Sequence, residues 1–164
     1  MKYIHSIFIA GLLSAFLASG SIAQTMNEDV AMAQIELARA IAQEQTLAVI
    51  EANLPLTAEE REAFGPLYQE YAAEKRVLND RLLEIIVQYS EMFNTGEIDD
   101  RTADRLMSDY FKLRKDKVSL KQKQFRKFKR ALPTAKAVQF FQIDNRIDTL
   151  VDVGLASQIP LILE

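Results

Sequence analysis

The sequence predicts an all-α protein of long antiparallel helical hairpins, in an elongated four-helix arrangement. Three observations carry that expectation. No stretch alternates apolar and polar residues in the manner of a strand bounded by turn pairs. Segments rich in Ala, Leu, Glu, Gln and Lys run for many turns between isolated Pro and Gly breaks, at Pro55, Gly96, Pro133 and Pro160. An apolar row recurs every seven residues through Phe64, Tyr71, Leu78, Ile85 and Met92, and Tyr68, Leu82 and Tyr89 repeat on the same face four positions on.

The elements follow in order. Lys2, an apolar run from Ile4 to Leu17, and the small residues Ser21 and Ala23 make residues 1–23 a secretory signal peptide cleaved before Gln24. Residues 24–164 then form a single all-helical domain, and its expected location is the periplasm. Thr25 or Asn27 caps a first helix over about 28–53, which Pro55 ends. Thr57 and Glu60 form a capping box that opens a second helix over about 58–94, bent or interrupted at Gly65-Pro66 and stopped by Asn94-Thr95-Gly96. Asp99 or Asp100 caps a third helix over about 100–132, and a fourth runs over about 134–157. Lys75 stands within the heptad face, its aliphatic stem covering the seam while the ammonium reaches water. The apolar run Ile159-Pro160-Leu161-Ile162-Leu163 is expected to dock on the bundle or on a second protomer.

Composition narrows the chemistry. The chain has no cysteine, and its one histidine, His5, falls in the leader. Thiol catalysis, Cys-ligated metals and His general bases are therefore missing from the mature protein. There is no Gly-rich phosphate loop and no nucleophile elbow. Met26, Met32, Met92 and Met107 are dispersed at helical spacings that suit packing rather than copper. The expectation is a protein that is not an enzyme and takes no cofactor or metal.

Charge is distributed very unevenly. Between Lys112 and Arg130 ten cations face one acid, Asp116, a net +9 within a chain whose overall charge is −3. On a helical wheel Lys112, Lys115, Lys123, Arg126, Lys127 and Arg130 cluster on what should be the solvated back. Leu106, Leu113 and Leu120 form one apolar row, and Phe111, Val118, Phe125 and Leu132 form another. Arg114, Lys117 and Lys121 lie between the rows as a positive seam. Two explanations stand side by side. The seam pairs with carboxylates of the second helix, such as Glu70, Glu74 or Glu84, and fixes register. Alternatively Arg114, Lys117, Lys121, Phe111, Val118 and Phe125 form an open surface for polypeptides that carry both apolar segments and negative charge. Nucleic acid is disfavoured by export and by the acidic remainder. An anionic membrane surface is a weaker rival, because the apolar face is split and lacks Trp.

The leader, the helical mature chain and the motif Leu56-Thr57-Ala58-Glu59-Glu60 opening a long helix resemble the Spy/CpxP family of periplasmic proteins, marked by Leu-Thr-x-x-Gln motifs. Glu60 stands where the family motif has Gln, and Leu132-Pro133-Thr134-Ala135-Lys136 occupies the place of a second motif. The stretch from Gln142 to Leu161 is similar to small exported proteins of unassigned function. The resemblance implies a cradle-like helical homodimer with ATP-independent chaperone or envelope-stress activity, and unfolded or acidic envelope proteins as partners. The alternative is a structural or regulatory protein that recognises one folded partner or an anionic membrane surface.

Overall fold

Four helices account for nearly all of the described chain: α1 (Glu28–Asn53), α2 (Ala58–Thr95), α3 (Asp100–Ala131) and α4 (Thr134–Ala156). They are seen in a computed structural model that describes residues 28–96, 99–157 and 159–161. The expected leader and the Thr25 or Asn27 cap lie outside the described residues, as do Ile162 and Leu163. Helix ends fall within one residue of the sequence expectation.

The start and stop signals work as their chemistry requires. The Thr57 hydroxyl accepts from the Glu60 amide at 3.2 Å, and the Thr57 amide donates to the Glu60 carboxylate at 2.9 Å. Both halves of the capping box at the head of α2 are thus closed, satisfying two backbone donors that a helix start leaves without partners. Gly96 ends α2 at φ 68°, in the left-handed region that side chains resist, and its amide returns to the Phe93 carbonyl. Asp99 caps α3 by accepting from the amides of Arg101 and Thr102. The Asp99 carboxyl is held below its usual range, first by a hydrogen bond from the Thr102 side chain and then by the Arg101 and Thr102 amides. Pro66 does not interrupt α2, which continues through it as one helix. Pro66 lies in an early turn, where the hydrogen bond it forfeits would have gone to exposed Glu62.

Contacts divide the chain into two units, with the boundary inside α4 between Gln142 and Ile143. One unit holds α1 and residues 143–157, with Ile50, Ile143, Asp144 and Ile147 as buried side chains. The other holds residues 54–142 together with 159–161, and contains the α2/α3 hairpin and the first turns of α4. In this second unit the heptad row of α2 is buried at Phe64, Tyr71, Leu78 and Met92, with Ile85 half-buried. Lys75, from the neighbouring row, lays its ammonium 5.6 Å from the Tyr71 ring centroid, a cation–π contact that keeps the charge at the seam.

Cross-helix contacts fix the hairpin as antiparallel. Arg81 meets Asp116 at 2.9 Å and Glu74 meets Lys123 at 2.8 Å, while Glu70 pairs with Lys127. Each step down α2, first seven residues and then four, matches an equal step up α3. At the base of the hairpin α4 closes an aromatic cluster. Phe128 and Phe140 stack at 4.7 Å, and Phe64 meets the Phe140 ring edge-on at 5.2 Å. Phe128 and Phe140 are fully buried, so this cluster anchors three helices at once.

The stretch from Leu56 to Glu60 has a structural duty in this arrangement. Replacing Thr57 with Ala should lower the unfolding free energy by about 1 kcal/mol in urea titrations. Glu60→Gln, whose amide can still reach back to the Thr57 amide, should keep most of that stability.

Candidate functional site

The long basic helix α3 presents two apolar stripes with different fates. Leu106, Leu113 and Leu120 are buried toward α2, and Gln124 and Phe128 continue that line at steps of four. The change of step follows from helical geometry. A seven-residue repeat drifts about 20° per heptad on a straight helix, so after two heptads the inward position passes from the i+7 row to the i+4 row.

The second stripe is open over its middle. Met107, Phe111, Arg114, Val118, Lys121 and Phe125 stand at i, i+4, i+7, i+11, i+14 and i+18, which places them along one face. Phe111 is 64% exposed, Val118 55% and Met107 53%. Arg114 is exposed beside them and sits 5.9 Å from the Tyr110 ring centroid. Lys117 and Lys121 are half-buried. Phe125, expected in the same surface, instead meets the Phe141 ring edge-on at 5.5 Å under the ammonium of Lys129, and so belongs to the margin of the aromatic cluster. The structure therefore brings Phe111, Arg114 and Val118 together, adds Met107, and separates Phe125 from them. Met107, whose helical spacing suggested packing, is instead exposed on this face, four residues before Phe111.

Two carboxylates of α2 engage cations of α3 that lie outside the seam. Glu70 takes Lys127, and Glu74 takes Lys123 with both carboxylate oxygens within 2.9 Å. Lys123 and Lys127 were expected on the solvated back of α3. They face α2 because the drift of the seam turns this part of the helix inward.

Between them lies a group the sequence did not single out. Gln124 is fully buried, and its Nε2 donates to Glu70 Oε1 at 3.2 Å and to Glu74 Oε1 at 2.7 Å. Glu70 and Glu74 are like charges at i, i+4, which repel. The Gln124 amide bridges them, and one ammonium pairs with each. The two carboxylates also fix which way the amide points, since the reverse orientation would set oxygen against oxygen. That choice leaves Gln124 Oε1 buried without a hydrogen-bond partner.

The Glu70 carboxyl is held below its usual value of 4.5, first by the Lys127 hydrogen bond and next by that of Gln124. No group of three or more potential metal ligands occurs among the described residues. No helix among them is long and apolar enough to cross a membrane. No family model matches the chain, and comparison with curated proteins and with solved structures finds no match.

Because the folded-state pKa of Glu70 is lowered, its contribution is fully present above about pH 4.5, the unfolded value, and is lost as pH falls through the folded one. Urea unfolding measured between pH 7 and pH 3 should therefore show a shallower acid-side loss of stability for Glu70→Gln than for the parent chain.

Proposed function

We propose that this is an exported binding protein that holds partly unfolded or acidic envelope polypeptides on the open face of α3, acting without ATP as a chaperone-like protein or envelope-stress adaptor. The observation that carries the reading is the exposed run Met107, Phe111 and Val118 with Arg114 set among them, on a helix that is net +9 between Lys112 and Arg130. Apolar side chains at this exposure lower their free energy by covering one another's surface, and an unfolded client supplies such cover without a particular sequence. The positive potential recruits acidic chains and weakens with salt as the Debye length shortens from about 10 Å at 0.1 M to about 3 Å at 1 M.

The resemblance to the Spy/CpxP family supports the same reading through the Leu56, Thr57 and Glu60 motif. With it comes the expectation of a homodimer, of periplasmic residence after removal of residues 1–23, and of binding rather than catalysis. Thr57 and Glu60 act in this reading as a helix cap, while the client surface lies on α3.

Aggregation of a chemically denatured acidic client, followed by light scattering at low salt, tests the proposal. The mature protein should slow aggregation. Replacing Arg114, Lys117 and Lys121 together with Gln should remove most of that protection while leaving the thermal midpoint within a few degrees. Phe111→Ser with Val118→Ser should remove it as well, and should do so at high salt too. Undiminished protection by the triple variant with a lowered midpoint would assign the seam to structure and overturn the reading.

A further inference from the structure

A second apolar row on α2 includes a residue, Tyr89, that is hydrogen-bonded to a later segment of the same chain. Leu82, Ile86, Tyr89 and Phe93 stand at i, i+4, i+7 and i+11, adjacent to the row that faces α3, and all four are half-buried. The rings of Tyr89 and Phe93 stack with centroids 6.2 Å apart and planes inclined by 26°. Tyr89 also meets the segment that follows α4. The Tyr89 hydroxyl donates to the Pro160 carbonyl at 2.6 Å, and residues 159–161 belong to the same compact unit as the hairpin.

We propose that the Tyr89/Phe93 face of α2 is a docking surface for short extended apolar segments, and that Ile159-Pro160-Leu161 is its resident occupant. The inference rests on the binding reading above and adds to it a second surface with a defined ligand chemistry.

The segment suits the role. Pro160 fixes its own φ and holds Ile159 out of the helical region, so little conformational freedom remains to be lost on docking. Proline has no amide hydrogen to leave unsatisfied, and its carbonyl is a good acceptor for a phenol. Ile159 is half-buried, whereas Leu161 is 76% exposed, so the segment is held along one side and stays displaceable.

The consequence is competition. A segment joined by a short connection competes at an effective concentration in the millimolar range. Any external apolar segment must displace it, and its apparent affinity falls by the fraction of molecules in which the face is vacant. A client with a run of apolar residues around a proline is the kind that displaces it best. The Tyr89 face would then be a reserve surface, separate from the open stripe of α3.

The test uses a fluorescent synthetic peptide spanning Ser157 to Glu164, titrated by anisotropy against full-length protein. One target is the parent chain. A second carries Ile159→Asp and Leu161→Asp, which vacate the face without touching α2. A third adds Tyr89→Phe to the second. The peptide should bind the vacated protein at least ~threefold more tightly than the parent, and Tyr89→Phe should weaken that binding by about fivefold through loss of one hydrogen bond. Equal binding to parent and vacated protein overturns the proposal, as does failure to bind the vacated protein while its helical circular dichroism is unchanged. The client assay remains separate. Protection without peptide binding leaves the α3 reading standing and removes this one, while peptide binding without protection does the reverse.

Discussion

The antiparallel register of α2 on α3 is the constraint on which the remaining features depend. It is set by apolar rows that meet along the hairpin and by three ion pairs spaced seven and then four residues apart. Individually such pairs are half-exposed, and each contributes no more than about 1 kcal/mol. Their value lies in selecting among registers. A slip by one helical turn would keep only one Glu–Lys pair, Glu70 with Lys123 or Glu74 with Lys127, would part Arg81 from Asp116, and would carry Gln124 from between the two carboxylates that its Nε2 meets. The orphaned Gln124 oxygen is the cost of that selection, since a buried acceptor without a partner costs about 1–3 kcal/mol.

With the register fixed, the faces of the hairpin are assigned. Leu106, Leu113 and Leu120 turn toward α2, and therefore Met107, Phe111 and Val118, roughly a third of a turn around, cannot. The aromatic cluster of Phe64, Phe128, Phe140 and Phe141 lies at the base of the hairpin, so α4 covers Phe125 without extending over Phe111 and Val118. In the register given by Arg81 and Asp116, Ile86 lies level with Phe111. Both apolar runs of functional interest thus occupy the half of the hairpin farther from the aromatic cluster. One stands open to solvent, and the other carries the segment that begins at Ile159.

Much of this was legible in the residues. Proline and glycine punctuation, together with the Thr57 and Asp99 caps, placed the boundaries of α2 and α3 to within a residue, because these signals act locally and packing does not alter them. The heptad row from Phe64 to Met92 likewise named the buried side of α2, with Ile85 its least covered member. Less legible were the features created by drift of the seam along α3. A wheel drawn at a fixed angle puts Lys123 and Lys127 on the solvent side, yet a hairpin turns each helix gradually about its neighbour, and near Gln124 the inner side holds residues that a single stripe assigns outward. Gln124 also escaped because a polar residue in an apolar line reads as surface until its two carboxylate partners, fifty or more positions away, are brought beside it. The Tyr89–Pro160 contact is of the same long-range kind.

Hydroxyl-radical footprinting with residue-level mass spectrometry tests the central claim most directly, because it reads the two stripes of α3 in one experiment. Met107, Phe111 and Val118 should be modified readily, while Leu106, Leu113 and Leu120 should be protected to the level of Phe128 and Phe140. Equal protection of both stripes would mean that the open face is covered, and modification of the leucine row would mean that α3 is turned the other way; either result would contradict the account.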